Sequence, residues 1–456
     1  MAYLFNTSQD IQQMLAAIGV TSIDELFDTI PKELWLARDL AIPAAMSELE
    51  LTGHMSELAS RNKGLERDLC FLGAGAYDHF IPAVVDHLSS RGEFYTSYTP
   101  YQPEVSQGNL QVMFEYETLI CQLTGMDVSN ASLYDGASAT LEAVLLAMSS
   151  QRGRTKVLVP NSLHPEYRQV LKSYLQWTNF ELLEIPCPDG TLDLEAWRMQ
   201  LDSSVGCVVL SQPNFFGLVD DLSPISALAK QSDCVVIGVV DMISLGVLAS
   251  PADWNVDIVV GEGQPLGNPL QYGGPYLGIL ACREQFVRRV PGRIAGQTVD
   301  RNGDRCWVLT LQTREQHIRR EKATSNICTN QGLFALRAAI YLALQGPDGL
   351  RETAEHCTAK VHYVANQLAN SERFKVRFQS PFWREVVIQD LADDVAGLLA
   401  YARSQGVQAG VPLSNWYDEL SDCFMIAVTE KRTRQELERL VKLLTLAPRR
   451  SELSHA

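Results

Sequence analysis

The sequence predicts an α/β protein with a large domain built on a mostly parallel sheet, followed by a smaller C-terminal α+β domain. Between residues 157 and 280, short apolar runs alternate with amphipathic or alanine-rich helical stretches. Parallel strands that helices cover on both faces have this continuous apolar composition. The length of 456 residues exceeds what one small core requires, which favours a large domain with a second, smaller one.

The first 65 residues are predicted to form a helical arm. They are mostly polar, and Ser22 and Glu25 have the spacing of a capping box at the start of a helix. Pro31 and Pro43 divide the region into short pieces. We therefore expect residues 1–65 to pack against another surface rather than to enclose a core of their own.

The large domain is predicted over residues 66–330. Its predicted strands are 157–159, 182–185, 205–210, 235–240, 256–260 and 277–280. Its predicted helices include 138–151, 165–176, 192–202 and 223–231. The stretch 286–330, which contains many arginines, is predicted to consist mainly of loops.

Residues 331–446 are predicted to form the smaller α+β domain. It begins with a long helix at 331–345, and further helices and a few strands follow. The last residues, 447–456, are predicted to be a frayed tail, as chain ends often are.

The formal net charge of -16 limits the partners of this protein. An acidic surface repels the phosphate backbone of nucleic acids and the anionic head groups of membranes. The sequence also has no apolar stretch of the ~20 residues that a membrane helix needs. We therefore expect neither a nucleic-acid partner nor a membrane partner.

The ten cysteines show no C-x-x-C pair of the kind found in zinc and redox sites. Cys207 and Cys234 lie inside apolar runs, as buried reduced thiols do. The first ten residues lack the basic and apolar parts of a secretory signal. We expect no metal site and a cytoplasmic location.

A turn of small residues begins the predicted helix 138–151. Gly136, Ala137 and Ser138 follow Asp135, and such a turn can present free backbone N–H groups and a hydroxyl to a phosphate group. The same residues also suit a helix cap that binds nothing. The motif alone favours the cap.

Two polar residues follow predicted strands, at the sheet edge where parallel sheets form ligand crevices. His164 comes after strand 157–159 and can stack on an aromatic ring, although a loop histidine without a role explains it at least as well. Asp241 ends strand 235–240 and can pair with the pyridinium nitrogen of pyridoxal phosphate (PLP). The alternative is an exposed aspartate that caps the next segment.

A PLP enzyme of this layout also needs a lysine for the Schiff base, about twenty residues after such an aspartate. No lysine occurs between Lys230 and Lys322. Neither Glu262 nor Gln264, which lie in the expected region, can supply an amine. We therefore predict that the chain binds no PLP covalently and is not an independent PLP enzyme.

Five segments carry a resemblance to a known family. They are Phe71-Leu-Gly-Ala-Gly-Ala-Tyr77, Tyr95-Thr-Ser-Tyr-Thr-Pro-Tyr-Gln-Pro-Glu-Val-Ser-Gln-Gly108, Tyr134-Asp-Gly-Ala-Ser138, Gly261-Glu-Gly-Gln-Pro-Leu-Gly267 and residues 309–330. These segments are similar to the P-protein of the glycine cleavage system, glycine decarboxylase, and the resemblance extends over nearly the whole chain. It implies the aspartate-aminotransferase-like fold type I of PLP enzymes.

The family has two homologous halves, joined in one chain or separated into subunits, and the second half has the PLP lysine. This chain resembles the first half, and Gln264 falls about where the second half has its lysine. The resemblance implies a dimer of heterodimers whose second subunit holds PLP. It also implies a vestigial cofactor pocket that includes Gly136, Ala137, Ser138, His164, Asp241 and Gln264.

The activity implied by the resemblance is decarboxylation of glycine, with transfer of the remaining aminomethyl group to the lipoyl arm of the H-protein. In fold type I dimers, loops of one chain line the neighbour's site, and the resemblance places segment 95–108 there. Tyr95, Tyr98, Tyr101 and Glu104 would then offer hydroxyls and a carboxylate to the partner's active site. The alternatives are a loop that only packs at the interface and, for the whole chain, a catalytically silent scaffold.

Overall fold

The structure is a computed structural model that describes residues 5–36, 38–65, 67–328 and 330–448. The chain forms two compact units, Met1–Lys63 and Gly64–Ala456. Residues 449–456 of the predicted tail lie outside the described residues. The domain boundary near residue 330 stays a prediction.

Two α-helices form the regular part of the first unit, Ser8–Ile18 and Glu48–Ser60. Each begins with a capping box made by a hydroxyl residue and an acidic residue. The capping box predicted from the sequence precedes only a short 3-10 turn, Asp24–Phe27. There the Ser22 hydroxyl accepts a hydrogen bond from the backbone N–H of Glu25 (3.4 Å), and the Glu25 carboxylate accepts one from the backbone N–H of Thr21 (3.2 Å).

The apolar side chains of the first unit are not gathered into a core. Leu15 is the one buried apolar side chain among the residues described for this unit. Phe5, Leu34 and Leu49 are 90%, 73% and 84% exposed. The unit therefore presents much apolar surface that its own described residues leave uncovered.

A seven-stranded sheet forms the centre of the second unit. From one edge to the other, its strands are Val128–Ser129, Gly278–Cys282, Ile258–Glu262, Val235–Val240, Val205–Gln212, Lys156–Pro160 and Glu181–Ile185. The strands from Ile258–Glu262 to the far edge pair in parallel, whereas the first two pair antiparallel. The predicted α/β class with a mostly parallel sheet is confirmed.

Two apolar clusters cover the two faces of this sheet. Successive side chains of a strand point to opposite faces, so Val208 and Val236 enter one cluster, whereas Val209 and Ile237 enter the other. Consecutive residues of one strand, such as Val208 and Val209, must therefore both be apolar. This explains why these strands are continuous apolar runs in the sequence rather than alternating ones.

The α-helices of the second unit are Ala83–Ser89, Gly92–Tyr95, Gln107–Thr124, Gly136–Ser150, Pro165–Leu175, Leu194–Gln200, Ser223–Gln231, Gln316–Arg319, Gly332–Ala369, Val395–Ser404 and Arg434–Thr445. The helices predicted between residues 138 and 231 are all present. The helix predicted at 331–345 continues further but is interrupted at Gly346, whose φ is 58°, directly before Pro347. Within the described residues, we find no helix long and apolar enough to cross a membrane.

A four-stranded antiparallel sheet lies in the C-terminal part of the chain. In spatial order its strands are Phe374–Val376, Glu385–Asp390, Cys423–Ala427 and Val411–Pro412. Helices Val395–Ser404 and Arg434–Thr445 contribute to the apolar cluster on this sheet. The short strand Leu69–Cys70 pairs in parallel with Val407–Gln408, which fixes the beginning of the second unit to its C-terminal part.

The prediction that residues 286–330 consist mainly of loops is partly wrong. Ile294–Val299 and Arg305–Thr310 form an antiparallel hairpin. Its turn contains the sequence Asn-Gly, and Gly303 has the positive φ (87°) that tight hairpin turns require. The charged residues around the hairpin interrupt the apolar pattern that marks a strand in the sequence, so the two strands were not predicted.

The strand predicted at 256–260 lies two residues further along the chain, at Ile258–Glu262. Directly before it, the Asp257 carboxylate accepts a hydrogen bond from the backbone N–H of Val236 (2.8 Å) and pairs with Lys230. The shift places Glu262 at the carboxyl end of the strand, at the same sheet edge as Asp241.

Candidate functional site

A small cavity lies where the carboxyl ends of the parallel strands meet the first turn of helix Gly136–Ser150. Its volume is about 80 Å³. Of the residues predicted from the sequence, His164 and Asp241 line the cavity. Gly136 lies beside it, since its backbone N–H contacts the lining residue Glu262.

The carboxylate of Asp241 is engaged within the chain. One oxygen forms an ion pair with the guanidinium of Arg384, and the two side chains are 14% and 2% exposed. The other oxygen accepts hydrogen bonds from the backbone N–H groups of Ile243 (3.0 Å) and Ser244 (3.1 Å). The group predicted to face a pyridinium nitrogen therefore faces an arginine of the same chain and also caps the next segment.

Arg384 reaches the cavity from the start of strand Glu385–Asp390. Its Nη1 donates a hydrogen bond to Nε2 of His79 (3.0 Å), and its Cζ lies 3.3 Å from the centre of the Tyr77 ring. The latter is a cation–π contact, which is strongest where water is excluded. The guanidinium is thus held by a carboxylate, an imidazole and an aromatic ring.

His164 stacks on an aromatic ring of its own chain. Its ring lies 4.8 Å from that of Tyr167, with 28° between their planes. Nδ1 accepts a hydrogen bond from the backbone N–H of Glu166 (3.1 Å), so Nε2 carries the hydrogen and donates to the carbonyl of Ala74 (2.9 Å). Burial lowers the pKa of His164, which keeps the imidazole neutral.

The carboxylate of Glu262 lies at the first turn of helix Gly136–Ser150. One oxygen accepts from the backbone N–H of Gly136 (2.9 Å). The other accepts from the backbone N–H groups of Gln264 (2.9 Å) and Leu277 (3.0 Å). The positive end of a helix dipole stabilises a carboxylate here, although burial raises the pKa of Glu262 to about 7.

The turn Gly136–Ser138 forms a closed helix cap. The backbone N–H of Ser138 donates to the Asp135 carboxylate (2.8 Å), and the Ser138 hydroxyl accepts from the Asp135 N–H (3.2 Å). Ala137 between them is half-buried. The Tyr167 hydroxyl fills the space above Gly136, since a Cβ added at Gly136 would lie 2.0 Å from it.

The side chain of Gln264 is buried away from the cavity. Its Oε1 accepts from the backbone N–H of Tyr77 (2.9 Å). Its Nε2 donates to the carbonyls of Tyr77 (3.1 Å) and Asn268 (2.8 Å). Gln264 therefore holds two backbone segments together, and its neighbours Glu262 and Pro265 line the cavity instead.

These residues do not fit a PLP cofactor. No lysine occurs among the described residues that line the cavity. The carboxylate that would pair with the pyridinium nitrogen holds Arg384, and the Gly136 N–H that would hold a phosphate holds Glu262. Residues with the right chemistry are present, but each already has a partner within the chain.

Several residues of the site were not selected by the sequence analysis, namely Glu262, Arg384, Glu385, Tyr77 and Tyr167. A signal existed for Glu262, because it follows an apolar run at the sheet edge that also carries Asp241. Arg384 and Tyr77 follow no such run. Only the tertiary fold shows that they are near the cavity.

Segment 95–108 lies outside this cavity and is largely exposed. Tyr95, Tyr98 and Tyr101 are 68%, 85% and 62% exposed, and Glu104 is also exposed. None of their hydroxyl or carboxylate groups makes a hydrogen bond with the described residues of the chain. Tyrosine hydroxyls usually find partners when a surface becomes buried, so this segment is free to contact another chain.

The exposed segment is nevertheless anchored. The Gln107 side chain donates to the carbonyl of Trp307 (2.9 Å) and accepts from its N–H (2.9 Å). A groove of about 170 Å³ runs beside the segment, and Tyr95, Tyr98 and Leu336 are among its lining residues. The C-terminal end of the segment is therefore fixed to the hairpin that contains Trp307.

The stability of the chain should fall as pH rises through 7, because burial raises the pKa of Glu142 to about 7 from its ordinary 4.5. Between pH 4.5 and pH 7, Glu142 keeps its proton in the native state and releases it in the unfolded chain. The contribution of the protonated Glu142 to stability is therefore complete below pH 4.5 and is lost above pH 7. Relative to Glu142→Gln, the wild-type protein should lose about 2–3 kcal/mol between pH 5 and pH 8. Urea unfolding of both proteins at both pH values measures this, and an unchanged difference would contradict it.

Comparison with known proteins identifies the family. The family model for the glycine cleavage system P-protein matches residues 1–444. The probable glycine dehydrogenase (decarboxylating) subunit 1 of Moorella thermoacetica is 49% identical over 441 residues, which cover 97% of this chain and 98% of that protein. A full-length match of this kind leaves no large part of either chain unmatched.

Comparison with solved structures supports the same family. Glycine decarboxylase (P-protein) of the glycine cleavage system, in inhibitor-bound form, superposes with a TM-score of 0.90 and 39% identity, covering 98% of this chain and 100% of that one. Glutamate decarboxylase of Lactobacillus brevis superposes with a TM-score of 0.68 at 13% identity, over 91% and 95% of the two chains. The second likeness shows the fold alone and confirms the expected fold type I. The chain belongs to the glycine cleavage system P-protein family.

Proposed function

We propose that this chain is the first subunit of a two-subunit glycine dehydrogenase (decarboxylating). Together with a lysine-bearing second subunit, it decarboxylates glycine and passes the aminomethyl group to the lipoyl arm of the H-protein. The observation that carries this proposal is the match over 97% of the chain to a relative named as subunit 1. We place the complex in the cytoplasm, which the ten unpaired cysteines support.

The PLP of this complex belongs to the second subunit. Support comes from the cavity of this chain, where Asp241 and the Gly136 N–H are already occupied by Arg384 and Glu262. The sequence supplies no lysine from residue 231 to residue 321. Both observations support a covalent cofactor on another chain.

The share of this chain in catalysis is to complete the partner's active site with segment 95–108. The segment offers three hydroxyls and one carboxylate, from Tyr95, Tyr98, Tyr101 and Glu104. All four are exposed, and Gln107 anchors the segment to the neighbouring hairpin. Groups of this kind can bind the amine or carboxylate of a substrate and can hold a proton near it.

The assembly is a dimer of heterodimers, with large contacts between subunits. The first unit supports this proposal, because Phe5, Leu34 and Leu49 expose most of their apolar surface. Exposed apolar surface of this extent is typical of interfaces in permanent complexes.

A catalytically silent scaffold is the second candidate function. The cavity favours this candidate, because polar groups that pair with each other within the chain need no ligand. The two candidates differ in one respect, namely whether segment 95–108 affects turnover once the complex has assembled.

Borohydride reduction of the purified complex, followed by peptide mapping of both subunits, tests the location of PLP. Borohydride fixes PLP to the lysine that holds it. We expect pyridoxyl-lysine in the second subunit and unmodified lysines in this chain. A pyridoxyl-lysine in this chain would overturn the proposal.

A further inference from the structure

Two charged side chains occupy the two ends of the vestigial pocket. Glu262 lies at the first turn of helix Gly136–Ser150, where the small-residue turn would otherwise present N–H groups to a phosphate. Arg384 lies against Asp241, where that carboxylate would otherwise face a pyridinium nitrogen. The Glu262 carboxyl group lies at the phosphate end, and the Arg384 guanidinium lies at the pyridinium end.

We propose that Glu262 and Arg384 are built-in substitutes for the phosphate anion and the pyridinium cation of PLP, which close this pocket to PLP and to other phosphate compounds. The Gly136 N–H and the Asp241 carboxylate each have a partner without any ligand.

The hydrogen bonds of Glu262 are those that a bound phosphate would need. The carboxylate accepts from the backbone N–H groups of Gly136, Gln264 and Leu277 at 2.9, 2.9 and 3.0 Å. A phosphate can reach these donors only if Glu262 leaves them. A displaced carboxylate nearby would repel the phosphate and would lose its own partners, because like charges at close range disfavour each other.

The opposite end of the pocket is closed in the same way. The Arg384 guanidinium lies 3.3 Å from the Tyr77 ring centre and pairs with Asp241, so a pyridinium nitrogen would meet a cation instead of a carboxylate. The stacking face of His164 is covered by Tyr167. The remaining volume of about 80 Å³ is well below the roughly 300–1,000 Å³ of ordinary ligand pockets.

Binding of inorganic phosphate to three versions of the complex tests the proposal. The second subunit is loaded with PLP, so its own phosphate site is filled. Wild-type complex, Glu262→Ala and Glu142→Ala are titrated with phosphate by calorimetry and by ³¹P NMR at constant ionic strength. Glu142 is the matched control, because it is a buried carboxyl of the same helix that does not cap the helix N-terminus.

We expect one additional phosphate per heterodimer in Glu262→Ala only, bound at least ~10-fold more tightly than by the wild-type complex or by Glu142→Ala. A folded Glu262→Ala complex that gains no phosphate binding would overturn the proposal. If Glu262→Ala does not fold, the melting temperature of the wild-type complex is the test. An equal melting temperature in millimolar phosphate and in chloride at the same ionic strength supports the closed pocket. A higher melting temperature in phosphate than in chloride contradicts it.

Discussion

Replacing Tyr98 by phenylalanine, or Glu104 by glutamine, should lower glycine turnover by the two-subunit complex about 10-fold or more. Each change removes one hydroxyl or one negative charge and leaves the shape of the side chain nearly unchanged. Both side chains are exposed in this chain, so its own folding does not depend on them. Subunit association and PLP content should therefore stay at the wild-type level.

Tyr174→Phe is the matched control for this experiment. Tyr174 is a 52% exposed tyrosine on helix Pro165–Leu175, outside segment 95–108. Its loss should leave turnover within the error of the assay. Steady-state rates and the absorbance of bound PLP are measured for each variant, together with Tyr95→Phe and Tyr101→Phe. Wild-type rates in all four segment variants would leave the segment with a packing role and would favour the silent scaffold.

Replacing Arg384 by methionine should lower the free energy of unfolding by about 3–5 kcal/mol. The change leaves the Asp241 carboxylate, which is 14% exposed, without its cation. It also removes the cation–π contact with Tyr77. Urea or thermal unfolding of the purified protein measures the loss.

Two further variants show whether the loss arises from the unpaired charge. Arg384→Met combined with Asp241→Asn removes both charges and should recover a large part of the lost stability. Arg434→Met breaks the exposed pair with Glu438 and should cost no more than about 0.5 kcal/mol. A loss below about 1 kcal/mol for Arg384→Met would mean that the buried pair adds little to stability.

The sheet could be predicted from the sequence because both of its faces are buried. Strand Val235–Val240 and helix Ser223–Gln231 begin and end where the sequence predicts, since the apolar run and the turn residues around it mark their limits. The hairpin Ile294–Val299 with Arg305–Thr310 escaped prediction because it carries charged residues and is less buried. A long apolar run indicates a strand more clearly than the alternation of apolar and polar residues in a half-exposed strand does.

The site could be predicted only in part. His164 and Asp241 were found because parallel strands deliver their following residues to one sheet edge. Arg384 is 143 positions away from Asp241, and its role depends on how the antiparallel sheet packs on the parallel one. The sequence shows that a lysine is missing, but it does not show that the Glu262 carboxylate binds the first turn of helix Gly136–Ser150.

Release of labelled CO2 from carboxyl-labelled glycine, in the presence of lipoylated H-protein, tests the central claim most directly. This chain, a lysine-bearing homologue of similar length and the mixture of the two are assayed with PLP. We predict sustained release only from the mixture, with this chain inactive alone and the homologue far less active alone. Release by this chain alone, or equal release by the homologue with and without it, would contradict the assignment as an active subunit.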